Sequence, residues 1–254
     1  MLTKYWAARG STTHNENDFE YLKNLDSYFT NGMGTNIDKL SSFSKYVPRQ
    51  NLTYFLSRYE IFKKILHIHG SIVECGVFFG AGLMTFAQLS AIFEPVNHTR
   101  KIIGFDTFAG FESINDEDNG STSEFAKKGS LSLDSYDDLK KCIELYDQNR
   151  FLNHIPKLEL IKGDATKTIP NYLEENPHTV VSLLNLDMDI YEPTKVAIEN
   201  FVPRMPKGGI IIFDELNSKD WIGETKAVLD TIGIHKLKIE RFSFDSHISY
   251  AVIE

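Results

Sequence analysis

A chain of 254 residues with 42% hydrophobic and 24% charged content can bury one substantial core, a size at which open α/β sheets commonly form single domains. Its formal charge of -8, with 27 Lys and Arg dispersed among 35 acids, excludes the basic footprint of a nucleic-acid binder. No run reaches the roughly 18 apolar residues that span a bilayer, the best segments being Val180 to Leu184 and Gly209 to Phe213, so no membrane association is expected.

The first twenty residues carry Lys4, Arg9, His14 and several acids around no apolar core, which is not the pattern of a signal peptide. The two cysteines, Cys75 and Cys142, are far apart, and Cys75 lies in a glycine-rich turn where a disulfide would be awkward. A reducing cytoplasm is the expected setting.

Residues 1–47 alternate polar and aromatic positions, with a weak helical pattern at Phe19, Leu22, Leu25 and Phe29 before the stretch Asn31-Gly32-Met33-Gly34. An appended arm or lid is expected there, with the main domain over 48–254. From Arg49 to His69, the apolar positions Leu52, Phe55, Leu56, Tyr59, Phe62 and Leu66 mark an amphipathic helix, which should pack on the sheet or on a partner subunit.

Short apolar runs then alternate with helical patterns, the signature of a doubly wound, mostly parallel α/β sheet. The expected strands are Ser71 to Glu74, Lys101 to Asp106, Leu158 to Lys162, Val180 to Asp187 and Gly209 to Asp214. Helices are expected near Leu83 to Phe93, Tyr136 to Tyr146, Thr166 to Glu175, Thr194 to Met205 and Thr225 to Ile232. Two late runs, Lys236 to Phe242 and His247 to Ile253, have no helix between them and should pair as an antiparallel edge. The polar excursion 107–135 includes an acidic stretch, 115–123, which fails as a calcium loop because Ala126 stands where the closing acid is needed.

In doubly wound sheets a ligand lies across the C-terminal strand ends, where the first strand turns into its helix. Glu74 to Gly82 fills that place and reads E-x-G-x-x-x-G-x-G, unlike the dinucleotide pattern G-x-G-x-x-G. The acid ahead of the glycines favours S-adenosylmethionine over nicotinamide. The glycines let the backbone approach a ligand closely, and Glu74 can face a cationic amino group. Asp106, ending the next strand, is suited to two ribose hydroxyls, the alternative being a solvated strand-end acid. Asp164 could reach an adenine amino group while Ala165 leaves room for the ring; the alternative for Asp164 is a helix N-cap.

The strands ending at Asp187 and Asp214 should be neighbours, which brings their ends to about 5 Å. Like charges so close need a cation or a shared proton. A hard divalent ion such as Mg, held by Asp187, Asp214 and Glu215, would meet that need and lower the pKa of an acceptor hydroxyl. Asp187 and Asp189 are the candidate bases, and Glu192 is as well explained by helix capping before Pro193. None of the eight histidines has metal-ligand spacing.

Five stretches in order resemble the macrocin O-methyltransferase family of class I S-adenosylmethionine enzymes, in particular the branch acting on deoxysugars. They are Pro48-Arg49-Gln50 with Arg58-Tyr59-Glu60; Val73-Glu74-Cys75-Gly76-Val77; Gly104 to Phe111; Leu186 to Thr194; and Phe213-Asp214-Glu215 with Trp221-Ile222-Gly223-Glu224. The resemblance implies a Rossmann-like methyltransferase sheet and methyl transfer to a sugar hydroxyl, usually with Mg. It also implies an oligomer in which N-terminal segments cover the site. Carried onto this chain, it makes Glu74, Gly76, Asp106 and Asp164 cofactor contacts, with Val77, Gly80, Thr107, Phe108 and Ala165 beside them, and Asp187, Asp214 and Glu215 the metal site. Members with well-defined Mg sites have consecutive aspartates where this chain has Asp214-Glu215. Trp221 and the loop from Phe108 to Ser135 would wall the acceptor. The rival readings are a catechol or small-phenol O-methyltransferase, a nicotinamide-dependent oxidoreductase, and a non-catalytic scaffold.

Overall fold

The computed structural model describes residues 16–254, in two compact units that divide at Tyr54. Residues 1–15 of the expected arm lie outside the described residues, and the division falls inside the amphipathic helix rather than at residue 47.

The first unit contains α1 (Glu16–Asn31) and α2 (Asn36–Ser41), followed by a 3-10 turn at Phe43–Lys45. The weak pattern through Phe19 and Leu22 is thus a full helix. Thr35 and Asp38 form a reciprocal capping box that starts α2 and satisfies two of its orphan donors. Tyr46 stacks on Tyr28 at 5.4 Å and meets Phe29 edge-on at 5.3 Å, which closes the unit around aromatic contacts. The helix α3 (Arg49–Ile65) carries the chain into the second unit.

The second unit is built on seven strands: β1 (Ser71–Cys75), β2 (Ile102–Asp106), β3 (Leu158–Lys162), β4 (Val181–Leu186), β5 (Ile210–Phe213), β6 (Ile239–Arg241) and β7 (Ser249–Val252). Their order is β3-β2-β1-β4-β5-β7-β6. The first five are parallel, and β7 pairs antiparallel with both β5 and β6. Between them run α4 (Ala81–Phe93), α5 (Tyr136–Gln148), α6 (Ala165–Glu175), α7 (Tyr191–Phe201) and α8 (Ile222–Asp230). The expected fold class is therefore the observed one. The helices starting α7 and α8 begin three residues earlier than the apolar pattern indicated, because backbone donors at their first turns find partners in other loops.

Strands β1, β4 and β5 are buried along their whole length, as parallel strands covered on both faces must be. Val73 and Cys75 of β1 share a core with Ile169 and Leu173 of α6 and with Ile198 and Phe201 of α7. Phe105 is fully buried there, 5.5 Å from Tyr172 and 5.7 Å from Phe201. The alternation of a strand sends Ile72 and Glu74 to the other face, beneath α4. Glu74 therefore lies in a core position, and its charge needs an explanation.

Candidate active site

The turn after β1 is held by Asp106 at the end of β2. Its Oδ2 accepts the N–H of Val77 (2.8 Å) and of Phe78 (2.7 Å), and its Oδ1 accepts that of Phe108 (2.6 Å). Asp106 thus positions both loops, and a ribose hydroxyl would have to share oxygens that already accept backbone donors. Phe78 and Phe108 sit at φ 51° and 54°, a left-handed conformation that costs a non-glycine residue free energy and persists where surrounding bonds enforce it. Phe108 is buried edge-on to Tyr136 at 5.2 Å, and Thr107 closes its own turn by donating to the Gly110 carbonyl.

Gly76 has φ 93°, and a Cβ there would meet the Asp187 carbonyl oxygen at 1.8 Å. This close approach, together with the Asp187 N–H bond to Cys75 O at 2.8 Å, draws the ends of β1 and β4 together. Gly80 takes the N-cap position of α4 at φ 84°. Asp164 is the N-cap of α6: Oδ1 accepts from Thr166 N (3.0 Å) and Oγ1 (2.7 Å), and Oδ2 pairs with Lys167 at 3.0 Å. Burial raises its pKa, but these partners outweigh it and hold the carboxyl below the ordinary value. Ala165 packs into the core beside Phe105 and Val73.

Glu74 is 1% exposed. Its Oε1 accepts the Asn185 amide at 2.9 Å, while Oε2 is buried with no hydrogen-bond partner among the described residues. Burial pushes its pKa up to about 7 against the opposing pull of Arg58 and Asn185. An orphaned carboxylate oxygen at the mouth of β1 is the feature that a cofactor donor would satisfy, so the residues present fit S-adenosylmethionine. Arg58 of α3 was missed as a functional residue. It is fully buried and lies 3.7 Å from Asp187 Oδ2 through Nη2. Its signal was present, since it shares one helical stripe with Ile61, Phe62 and Ile65, where an arginine is out of place without an acid.

Beyond Asp187 the acids crowd. Asp189 takes φ 63° at the foot of α7. Glu215 is pushed up to about 9 by burial and by the charges of Asp189 and Asp214. Glu224 of α8 is fully buried, and its Oε1 accepts Glu215 N at 3.0 Å while Oε2 has no partner among the described residues. Burial, then Asp214 and Glu215, raise it well above the ordinary carboxylate range. In the sequence Glu224 is one residue of the stretch Trp221 to Glu224, with nothing local to mark it as buried. The expected metal trio is not assembled: among the described residues no three His, Cys, Asp or Glu side chains form a group that could hold a metal ion. Asp187 is paired with Arg58, and protonation offers Glu215 and Glu224 another way to relieve their repulsion.

The acidic excursion is docked onto this site. Asp118 is 4% exposed; its Oδ1 accepts Tyr191 N at 2.9 Å and its Oδ2 accepts Asn115 N at 3.1 Å. Asn115 donates to Glu192 at 3.1 Å, Thr122 N and Ser123 N bond the carbonyls of Lys219 and Asp220, and Phe111 meets Trp221 edge-on at 5.7 Å. A cavity of about 300 Å3 opens beside these loops, lined by Asn217, Ser218, Lys219, Ile222, Thr225 and Lys226.

A doubly wound sheet whose first strand carries a buried acid with one unpartnered oxygen, next to a glycine turn fixed by the acid of the second, is the architecture of an S-adenosylmethionine-dependent methyltransferase, the class to which its relatives assign the chain. The chain belongs to the macrocin O-methyltransferase family, whose model, described as Macrocin-O-methyltransferase (TylF), matches residues 59–240. The calicheamicin methyltransferase CalS11 is 31% identical with a TM-score of 0.91 over 96% of each chain. An apo structure of CalS11, described as a TDP-rhamnose 3'-O-methyltransferase in calicheamicin biosynthesis, is 30% identical with a TM-score of 0.82, covering 95% of this chain and 96% of that one. The O-methyltransferase NovP shares the fold at 16% identity and a TM-score of 0.62, over 79% of each chain. No curated protein sequence matches.

Proposed function

We propose that the enzyme methylates a hydroxyl of a deoxysugar carried on a nucleoside diphosphate, within natural-product biosynthesis. The observation that carries this reading is the match along 96% of the chain to CalS11, for which a TDP-rhamnose substrate is stated. In the reaction the hydroxyl oxygen attacks the sulfonium methyl in line, the O–C bond forms as the C–S bond breaks, and S-adenosylhomocysteine leaves as a neutral thioether. Asp189 takes the hydroxyl proton. It is favoured over Asp187 because Asp187 is already engaged by the Arg58 guanidinium at 3.7 Å. Most of the rate comes from holding methyl and hydroxyl in line, and no step is routed through a metal.

The same reading includes a cytoplasmic setting, supported by the free thiols of Cys75 and Cys142 and by the absence, among the described residues, of any helix long and apolar enough to cross a membrane. It also includes a homo-oligomer, supported by the exposed Met33, Ile37, Leu40 and Phe43 of the first unit. The deciding experiment is calorimetric titration with S-adenosylhomocysteine, with and without Mg, followed by turnover of TDP-rhamnose and of a catechol panel monitored by mass spectrometry. Binding with sugar methylation is the expected result. Methylation of catechols alone would replace the acceptor class, and binding of NADH instead would remove the cofactor assignment.

A further inference from the structure

We infer that Arg58 is a positioning residue that couples the cofactor acid Glu74 to the acid Asp187 across the two central strands, an inference that rests on the methyltransferase reading above. The geometry carries it. Glu74 is the penultimate residue of β1 and Asp187 follows β4; the strands are paired with Glu74 opposite Asn185. The Arg58 guanidinium pairs with Asp187 and stands near Glu74. Nη2 lies 3.7 Å from Asp187 Oδ2. On the other side, a methyl group built on Gly82 would sit 1.9 Å from Glu74 Oε1 and 3.3 Å from Arg58 Nε, so carboxylate and guanidinium crowd the same glycine in the first turn of α4. Its Cζ lies 6.0 Å from the centre of the Phe86 ring, which walls that side of the guanidinium.

A fully buried arginine between two acids is costly to desolvate and is retained where it fixes geometry. Here one cation offsets the charge of a buried carboxylate, Glu74, and pairs with a half-buried one, Asp187. The electrostatics agree, since Arg58 opposes the rise that burial imposes on Glu74. The arginine is itself held by its chain neighbour: Ser57 Oγ donates to Asp245 Oδ2, and Asp245 Oδ1 accepts the N–H of His247 (3.0 Å) and of Ile248 (3.2 Å). The loop before β7 therefore fixes α3, and α3 delivers the guanidinium to the site. Gly82 is needed because any side chain there would enter the gap between Arg58 and Glu74.

The test uses the full chain with Arg58→Met and Arg58→Lys, reading S-adenosylhomocysteine affinity by calorimetry and kcat per binding-competent molecule. Arg58→Met is expected to weaken S-adenosylhomocysteine roughly tenfold or more, because Glu74 keeps its burial and loses its compensating charge. Its kcat should fall roughly a hundredfold, because Asp187 lies two residues before the base Asp189 and its displacement shifts the turn that carries that base. Lysine keeps a charge near Gly82 but lacks the forked reach to Asp187. Arg58→Lys should therefore bind within about threefold of the parent while kcat stays roughly a hundredfold down. That split is not what general unfolding gives, and it remains readable if Arg58→Met does not fold. Parental affinity and kcat in Arg58→Lys, or equal losses of both, would overturn the coupling role. Failure of the parent itself to bind S-adenosylhomocysteine would overturn the underlying reading instead.

Discussion

Gly82 occupies the first turn of α4, where replacing glycine by alanine stabilises an exposed helix by about 1 kcal/mol. The surroundings reverse that sign. A Cβ at position 82 falls 1.9 Å from Glu74 Oε1, and ordinary contact begins at 3.4 Å, so the carboxylate must retreat by the difference. It has nowhere to go: Glu74 is buried, bonded to Asn185 at 2.9 Å, with Arg58 against the same glycine. Overpacking costs about 1–3 kcal/mol, and a weakened buried hydrogen bond adds about 1–3 kcal/mol. After the helix gain, a net loss of about 3 kcal/mol is expected for Gly82→Ala, which lowers Tm by roughly 6–12 °C in a chain of this size. If Glu74 holds the cofactor as proposed, S-adenosylhomocysteine affinity should fall about tenfold with it, because that carboxylate is the one displaced. Scanning calorimetry and isothermal titration read the two effects. A variant with raised Tm and parental affinity would refute the reasoning.

Asp189→Asn should lower kcat by about 10²–10⁴ while leaving S-adenosylhomocysteine affinity at the parental value; parental kcat would remove Asp189 as the base. Stability should fall as pH rises from about 5 towards 9, because native Glu215 and Glu224 keep protons that the unfolded chain releases near its ordinary 4.5. Glu224→Gln should flatten that slope in Tm measured against pH, and an unchanged slope would show that Glu224 ionises freely in the fold. Asp118→Ala deprives Tyr191 N of its acceptor and frees the excursion, so acceptor KM should rise while S-adenosylhomocysteine affinity stays constant. Loss of cofactor binding in that variant would mean the excursion serves the cofactor side.

The local signals in the sequence determined the sheet. Apolar runs such as Ile210–Phe213 are buried on both faces and so look continuous in one dimension. The glycine turn and the strand-end acids were legible for the same reason, since an acid closing an apolar run is conspicuous without any knowledge of its neighbours. Asp164 is a case where the local alternative, a helix cap, is what the structure displays. What each acid faces was decided only in three dimensions. Asp187 finds Arg58, 129 positions earlier, and Glu74 finds Asn185, 111 positions later. Glu224 stands in the sequence only as the last residue of Trp221-Ile222-Gly223-Glu224, and it is α8 that buries it and brings it to Glu215 N. Asp118, in a stretch too polar to suggest a core, became buried because it caps a distant helix. Periodicity reports which face of an element is apolar; the partner that makes a buried charge tolerable is chosen by the packing of elements far apart in the chain.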